Sequence, residues 1–446
     1  MKVRDPVHGF VCYNENEERI INTHIFQRLR DIKQLALAYY VYPGAHHSRF
    51  EHSLGVMHLC KKVANYLELS PELKKTLRYA GLLHDIGHGP FSHVSEQVID
   101  KKLDKSVLNK YRADNTQELL SILLIKYNDE INEILSEVEK VEITSLLQKQ
   151  KYGSIQKDII SGPIDVDKID YLLRDSYFAG VEYGSFDVDK VLDSLTPIAI
   201  SSKINKLGIK EEGVYAVEQL ILAKYHMNVQ VYRHKIRRIT DAMIIKSIEL
   251  AFNENVKEIV KLYRFEDNKS YIDNYSTYND MLLVNTILNS STDLAKNYLS
   301  RLIQRKLFKQ IFSIEINNEN FEDIYLRQIA TDISGDQIKN ITEEVSDILS
   351  VPNEMIIFDK QTFKNPTFKN VAAKINLDEI IVKTPSGTKK GFKEVSSIFG
   401  NYSDPERNVI YIYAPLDSLL SRSTRKEFIQ SKRETIYTTI KEVLAQ

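Results

Sequence analysis

The residues from 84 to 93 concentrate groups that can bind a metal ion or transfer a proton. This stretch holds three imidazoles and one carboxylate, and it directly follows an apolar run. The apolar spacing predicts a helix over residues 74–83, which would place His84 and Asp85 on its last turn, about 100° apart and able to meet at one ion. Because this pair supplies only two ligands, at least two more must come from elsewhere in the chain.

Two other stretches can complete the ligand set. His52 stands upstream in the sequence RFEHSLG, and Asp167 stands downstream in IDVDKIDY. Together with His84 and Asp85 they would form a mixed imidazole and carboxylate set, which suits manganese, magnesium, iron or zinc and leaves positions open for water and substrate. A single buried histidine is more often a hydrogen-bonded core side chain. The density of candidates here favours a divalent metal site.

Long runs of this sequence resemble the HD-domain phosphohydrolases, and within them the deoxynucleoside triphosphate (dNTP) triphosphohydrolases. The signature of that family is a His, a His-Asp pair and a distant Asp around a metal. The resemblance covers roughly residues 2–250 and is carried, in order, by residues 5–9, 26–35, 39–45, 49–56, 84–93, 165–175 and 232–235. It implies an enzyme that cleaves dNTP to deoxynucleoside and inorganic triphosphate, is activated by nucleotides and forms a homotetramer.

The resemblance also implies roles for individual residues. It places Arg49, His88, His93 and Glu96 at the reaction centre. It assigns substrate contacts to Gln34, Leu35, Arg49, His93, Lys168, Tyr171, Asp175, Lys224 and Tyr232.

Three of the matched positions depart from the family pattern. Lys224 stands where Arg is usual, and Glu96 stands where Asp is usual. Gln117 replaces a His that normally pairs with the acid, and an amide cannot titrate. Either His88 or His93 therefore carries the proton chemistry alone, or turnover is reduced.

Allosteric nucleotide sites are implied by the same resemblance. Val41 and Tyr42 match a second such pocket, and His234 and Lys235 also match allosteric-site residues. The activating site between subunits is matched by Lys2, Val3, Asn22, Gln27 and Arg30. Asn22 stands where the family has an acid that reads guanine. A carboxylate accepts from two guanine donors, whereas an amide cannot do so with both of its atoms. We therefore predict that, if an activating nucleotide binds at the site that contains Asn22, GTP is not strongly preferred over other nucleotides.

Composition limits the kinds of binding partner and the cellular compartment that the sequence suggests. Lys and Arg total 60 against 61 for Asp and Glu, so no global field favours nucleic acid or a membrane surface. Cys12 and Cys60 are too few for a disulfide framework, and no signal peptide or long apolar span is apparent. These features predict a cytoplasmic protein.

The pattern of elements predicts a mostly α fold. It indicates a helix over residues 18–37, a short extended piece over 39–44, and one long helix or a helical hairpin over 214–250. From about residue 313, short β-rich runs alternate with helical stretches. We therefore expect an HD-domain helical core over residues 1–312 and a small α+β lobe over 313–446, for regulation or oligomerisation.

Two other functions fit the same ligand set. One is a phosphodiesterase or nuclease acting on a signalling nucleotide or a single strand, and the other is a nucleotide sensor with weak turnover, for which Gln117 is the best indication. The product distinguishes the three functions. Tripolyphosphate indicates the first, mononucleotides from a strand the second, and binding without product the third.

Overall fold

Helices dominate the described part of the chain. A computed structural model describes residues 1–149, 154–201, 205–289, 293–363, 377–399, 407–416 and 421–446. Helices account for 62% of the structure, which confirms the prediction of a mostly α fold. Within these ranges, no helix is both long enough and apolar enough to cross a membrane.

The helices and strands have the following bounds. The helices are α1 (Glu15–Ile21), α2 (His24–Gln27), α3 (Arg49–Tyr66), α4 (Pro71–Leu83), α5 (His93–Asp100), α6 (Lys105–Tyr111), α7 (Thr116–Tyr127), α8 (Asp129–Ile134), α9 (Glu137–Leu147), α10 (Ile155–Ser161), α11 (Val166–Ala179), α12 (Val188–Ser194), α13 (Val214–Met227), α14 (Lys235–Asn253), α15 (Lys257–Tyr263), α16 (Lys269–Tyr275), α17 (Asp280–Asn289), α18 (Asp293–Ile303), α19 (Ile324–Thr331), α20 (Gly335–Leu349), α21 (Phe392–Val395) and α22 (Arg422–Ala445). The strands are β1 (Lys2–Asp5), β2 (Gly9–Cys12), β3 (Leu195–Ala199), β4 (Asn205–Lys210), β5 (Lys309–Ile316), β6 (Ile357–Phe363), β7 (Ile381–Lys383), β8 (Lys389–Gly391) and β9 (Arg407–Ala414).

Three helices that pack together, α3, α4 and α11, form the frame of the candidate site. Ser48 starts α3 with a capping box shared with Glu51, and Asp165 starts α11 by accepting a hydrogen bond from the Lys168 backbone N–H. Ser70 and Pro71 start α4, which ends at His84. Each helix thus begins at a side chain that satisfies backbone N–H groups left unpaired at a helix start. The predicted helix over residues 74–83 is confirmed, with one extra turn at its beginning.

Other local predictions were wrong. The helix predicted over residues 18–37 is broken after Ile21, because Thr23 caps a new helix, α2, and the chain then continues as a 3₁₀ helix over Arg28–Asp31. The piece predicted to be extended over 39–44 includes another 3₁₀ helix, Ala38–Tyr40. For residues 214–250, only the alternative of one long helix is wrong, because the chain forms two helices, α13 and α14, separated by a π-helical turn over Asn228–Tyr232.

The strands form three small sheets. The first is the antiparallel hairpin of β1 and β2 at the N-terminus, and the second has the order β3-β4-β7-β8. The third has the order β5-β9-β6, all antiparallel, and packs with α20 and α22 around a separate apolar cluster. Strand β4 pairs in parallel with β7, so residues 381–391 lie in a sheet with residues of the helical core. The division at residue 312 stays a prediction.

Candidate metal centre and active site

The four predicted metal ligands converge at the ends of the three framing helices. His52 Nε2 lies 3.0 Å from Asp167 Oδ1, 3.3 Å from His84 Nε2 and 3.5 Å from Asp85 Oδ2. His84 Nε2 lies 3.3 Å from Asp85 Oδ1. Ligands about 2.1 Å from one cation and 90–109° apart are about 3.0–3.4 Å from one another. His52, His84 and Asp85 therefore form a group that could hold a divalent cation, and Asp167 Oδ1 faces this group from α11, 3.0 Å from His52 Nε2 and 3.7 Å from His84 Nε2.

The orientation of both imidazoles is set by their other ring nitrogen. Nδ1 of His52 lies 2.7 Å from Asp170 Oδ2, and Nδ1 of His84 lies 2.9 Å from the Gly81 carbonyl oxygen. Because both partners are acceptors, Nδ1 carries the proton in each ring and Nε2 faces the other ligands. Sequence reasoning missed Asp170 in this role, although its position three residues after Asp167 on α11 could have suggested it.

Electrostatics favour a cation at this position. Burial lowers the pKa of His52, but its hydrogen bonds to Asp167 and Asp170 outweigh burial and raise that pKa to about 10. Burial raises the pKa of Asp167, but hydrogen bonds and the charges of His52 and His84 hold it well below its ordinary value. Carboxylates thus stay ionised, and a metal ion would replace protons shared among them and the imidazoles.

Arg49 belongs to the metal centre rather than to the surface. It is buried, and its Nη1 donates to Asp85 Oδ2 at 2.7 Å while its Nε donates to Ser92 Oγ at 3.0 Å. Burial raises the pKa of Asp85, but the charges of His84 and Arg49 lower it well below its ordinary value. The guanidinium therefore fixes the carboxylate of a candidate metal ligand.

A second group of titratable side chains lies beside the metal ligands. His88 Nδ1 lies 2.6 Å from Glu96 Oε1, and His93 Nδ1 lies 3.1 Å from Glu96 Oε2. His88 Nε2 lies 3.4 Å from Asp85 Oδ1, so this ring connects Glu96 to the metal centre. His88 is buried, whereas the His93 side chain is 69% exposed and open to a ligand.

Glu96 keeps imidazole partners without a histidine at position 117. Burial raises its pKa, but the charge and hydrogen bond of His88, together with His93, hold it well below the ordinary value. Gln117 instead donates from Nε2 to the His84 carbonyl oxygen at 2.7 Å and to Ser121 Oγ at 3.1 Å. The same nitrogen lies 3.5 Å from Asp85 Oδ1, so the amide supports the metal-binding segment and makes no hydrogen bond to Glu96, His88 or His93 among the contacts described.

The backbone between the two clusters is held by side chains that sequence reasoning missed. Arg28 donates from Nη2 to the carbonyl oxygens of Ile86 and His88, at 2.7 and 2.9 Å. Tyr275 donates its hydroxyl to the Gly87 carbonyl oxygen at 2.9 Å. Three consecutive carbonyls are thus fixed from distant parts of the chain.

Asp280 holds the strained turn that follows. Its two oxygens accept hydrogen bonds from the backbone N–H of Phe91 at 2.6 Å and of Lys33 at 3.0 Å. Phe91 and Ser92 have φ of 57° and 53°, a region that side-chain-bearing residues rarely occupy. The carboxylate therefore joins the segment that carries His93 to the segment that carries Gln34 and Leu35.

Replacing Asp280 with Asn is expected to change how stability depends on pH. Burial raises the Asp280 pKa from 3.8 to about 7 despite its two backbone donors. The folded chain therefore binds this proton more tightly than the unfolded chain, and stability falls as pH rises between these values. At 1.36 kcal/mol per pKa unit, wild type should lose up to about 4 kcal/mol relative to Asp280→Asn across this window.

Urea unfolding at a series of pH values measures this difference. Asp189→Asn removes an exposed carboxylate and serves as the matched control, for which the difference from wild type should stay flat. Parallel stability curves for Asp280→Asn and wild type from pH 4 to 8 would contradict the prediction.

The predicted sugar-binding side chains form a third group, next to the metal centre. Asp175 accepts a hydrogen bond from the Tyr232 hydroxyl at 2.7 Å and lies 2.7 Å from His47 Nε2, a contact that sequence reasoning missed. The Tyr171 and Tyr232 rings are 6.3 Å apart. Burial and the Asp175 charge raise the Tyr232 pKa well above its ordinary value, so this hydroxyl remains a donor.

The remaining predicted substrate residues have mixed surroundings. Gln34, Leu35 and Lys224 are buried. Lys168 donates to Asp165 and, at 3.0 Å, to the Gly162 carbonyl oxygen, so its ammonium group is held at the start of α11. A phosphate contact by Lys168 would require this side chain to turn.

The predicted activator residues comprise two contacting pairs and five others. Gln27 Oε1 accepts from Arg30 Nε at 2.8 Å, and the Tyr42 and His234 rings are 6.0 Å apart. The Tyr42 hydroxyl donates to the Gln230 carbonyl oxygen at 2.8 Å. The exposed or half-buried remainder comprises Lys2, Val3, Asn22, Val41 and Lys235. Their role stays a prediction.

Comparison with known proteins gives two family matches. The HD domain model matches residues 49–175, and the model described as the HD associated region matches residues 187–386. The first match contains all four ligands of the candidate metal centre together with His88, His93 and Glu96.

Individual relatives agree with these matches. An uncharacterized protein of Methanocaldococcus jannaschii is 35% identical over 312 residues, 70% of this chain and 59% of that protein. The deoxynucleoside triphosphate triphosphohydrolase SAMHD1 homolog of Dictyostelium discoideum is 30% identical over 333 residues, 71% of this chain and 61% of that protein. A crystal structure of a phosphohydrolase from Bacteroides thetaiotaomicron has a TM-score of 0.70 and 25% identity, covering 93% of this chain and 99% of the other. The chain thus spans about six tenths of the length of the two sequence relatives.

Proposed function

The chain belongs to the HD-domain phosphohydrolases, and from this premise we propose that it is a metal-dependent dNTP triphosphohydrolase, which releases deoxynucleoside and intact inorganic triphosphate. One observation carries the proposal. His88, which pairs with Glu96, lies 3.4 Å from the candidate ligand Asp85, and helix α11 carries both Asp167 of the metal centre and Asp175, which accepts from Tyr232. Phosphate chemistry and sugar recognition are therefore available in one site.

The chain's own residues divide the work in this proposal. A divalent cation held by His52, His84, Asp85 and Asp167 would supply a Lewis acid for a phosphate oxygen. Glu96 fixes the Nδ1–H tautomer of His88, which leaves Nε2 near Asp85 to hold or transfer a proton. Arg49 adds positive charge where negative charge develops.

The sugar contacts support a deoxynucleotide substrate. Asp175 and Tyr232 present hydrogen-bonding groups that could bind a 3′-hydroxyl, and Leu35 is buried where close packing would disfavour a 2′-hydroxyl. The Dictyostelium discoideum relative is named a deoxynucleoside triphosphate triphosphohydrolase, and its name thus gives the same substrate class. Nucleotide activation and a tetrameric assembly remain part of the proposal through the family resemblance, and a cytoplasmic location through the composition.

The position of Gln117 weighs against the sensor hypothesis. The best reason for weak turnover was the missing histidine, yet Glu96 pairs with both His88 and His93 in its absence. The hypothesis of a phosphodiesterase or nuclease uses the same metal set and is separated from the proposal by its product.

Product analysis tests the proposed function directly. The protein is incubated with each dNTP and NTP, singly and in mixtures, with Mn²⁺, Mg²⁺ or Fe²⁺, and the products are separated by ion-exchange chromatography. We expect deoxynucleoside and tripolyphosphate in equal amounts, from mixtures that need not contain GTP. Release of pyrophosphate or orthophosphate, mononucleotides from a single strand, or binding without any product would contradict the proposal.

A further inference from the structure

The turn between β1 and β2 touches the support of the metal centre. His8, in that turn, places Nε2 at 2.6 Å from Asp170 Oδ1. The other oxygen of the same carboxylate lies 2.7 Å from Nδ1 of His52, a metal ligand. One carboxylate therefore separates the N-terminal hairpin from the ligand ring.

A buried ion pair completes this contact. Arg174 donates from Nε and Nη2 to the two oxygens of Asp170, at 2.9 and 3.0 Å, and from Nη1 to Asp5 Oδ2 at 2.8 Å. Asp5 Oδ1 accepts from the backbone N–H of Val7 and of His8, at 2.9 and 2.8 Å, and so shapes the turn. The side chains of Asp170 and Arg174 are fully buried, which leaves no water to replace a lost partner.

The space around this carboxylate is closed by helix α3. A Cβ added at Gly55 would lie 1.8 Å from Asp170 Oδ1 and 2.5 Å from Arg174 Nη2. The glycine therefore lets the ion pair press against the backbone of the helix that carries His52. With α3 on one side and the hairpin turn on the other, the Asp170 carboxylate has one position.

We propose that the β1–β2 turn is a positioning element of the metal centre, in which His8 and Asp5 fix Asp170 so that His52 directs Nε2 at the cation. When a side chain that hydrogen-bonds to a metal ligand is removed, metal affinity typically falls about 10–100-fold. Docking of the hairpin and metal binding must then favour each other, because coupling between two sites is reciprocal. The proposal concerns the metal alone and does not depend on which phosphate ester is hydrolysed.

Calorimetric titration of the metal-free protein with Mn²⁺ tests the proposal without any nucleotide. His8→Phe keeps a ring but removes the donor to Asp170, and its Mn²⁺ affinity should fall about 10-fold. His8→Gln restores an N–H donor and should stay within about threefold of wild type. His24→Phe alters an exposed histidine and is the matched control, with unchanged affinity.

Hydrogen exchange supplies a second measurement. Mn²⁺ should slow amide exchange at residues 5–11 in wild type and less so in His8→Phe. A folded His8→Phe that binds Mn²⁺ within about twofold of wild type would overturn the proposal. If His8→Phe does not fold, the Asp5→Asn variant tests the proposal instead. Its amide oxygen can still accept from the backbone N–H groups of the turn, but the negative charge that pairs with Arg174 is lost. We expect about threefold weaker Mn²⁺ binding, and wild-type affinity in this variant would overturn the proposal.

Discussion

Replacing Asp167 with Ala is expected to lower hydrolysis by at least about 1,000-fold and to weaken Mn²⁺ binding strongly. Its Oδ1 lies 3.0 Å from His52 Nε2 and 3.7 Å from His84 Nε2, so it completes the ligand set from the side of α11. A Lewis acid contributes several kcal/mol to such reactions, and about 4 kcal/mol corresponds to 1,000-fold in rate. Steady-state hydrolysis and titration of the metal-free protein with Mn²⁺ measure the two effects.

The matched control distinguishes this effect from damage to the fold. The Asp167 side chain is 33% exposed, the most open of the four ligands, so its truncation leaves little buried volume empty. Asp189→Ala removes an exposed carboxylate from α12 and should retain wild-type activity and Mn²⁺ affinity. Full hydrolysis by a metal-free Asp167→Ala would contradict the assignment of a metal-dependent site.

The metal ligands could be predicted because their chemistry is visible in short stretches. His84 and Asp85 follow a helix whose apolar spacing was visible in the sequence over residues 74–83, and His52 and Asp167 lie in the first turns of α3 and α11. Few imidazoles and carboxylates lie at predicted helix ends, so only a few combinations of ligands were possible. Few local alternatives therefore competed with the predicted grouping.

The supports of those ligands could not be predicted in the same way. Arg28 and Tyr275 bind carbonyl groups of residues 86–88, and Asp280 binds two backbone N–H groups. Every residue offers a carbonyl and nearly every residue an N–H, so the sequence carries no sign of which one is used. These partners are also separated by up to 247 positions along the chain.

Sheet membership was equally hidden from local patterns. The β-rich run at residues 381–383 is visible in the sequence, yet its partner is β4, about 170 residues earlier. Val382 is fully buried in the larger apolar cluster, whereas Ile410 and Ile412 of β9 lie in the second cluster. Similar short apolar strands thus joined different sheets, since strand propensity does not specify a partner.

Replacing Glu96 with Gln is expected to lower kcat about 100-fold while KM and Mn²⁺ affinity change little. The carboxylate accepts from Nδ1 of both His88 and His93, at 2.6 and 3.1 Å. An amide of the same shape has one acceptor and one donor, so at least one imidazole must change its tautomer or turn away. Steady-state kinetics with the best dNTP substrate, together with Mn²⁺ titration, measures the change, and Glu254→Gln on the exposed end of α14 is the control.

Comparing Glu96→Gln with Asp167→Ala distinguishes a role in proton transfer from a role in metal binding. In Asp167→Ala, Mn²⁺ binding and turnover should be lost together. In Glu96→Gln, the metal ligands should stay in place, because the described hydrogen bonds of Glu96 go to His88, Gly89 and His93 and not to His52 or Asp167. A Glu96→Gln variant with wild-type kcat would show that proton transfer does not involve His88 held by Glu96. Equal losses of kcat and Mn²⁺ affinity would instead show that Glu96 acts by supporting the ligand ring, since His88 Nε2 lies only 3.4 Å from Asp85 Oδ1.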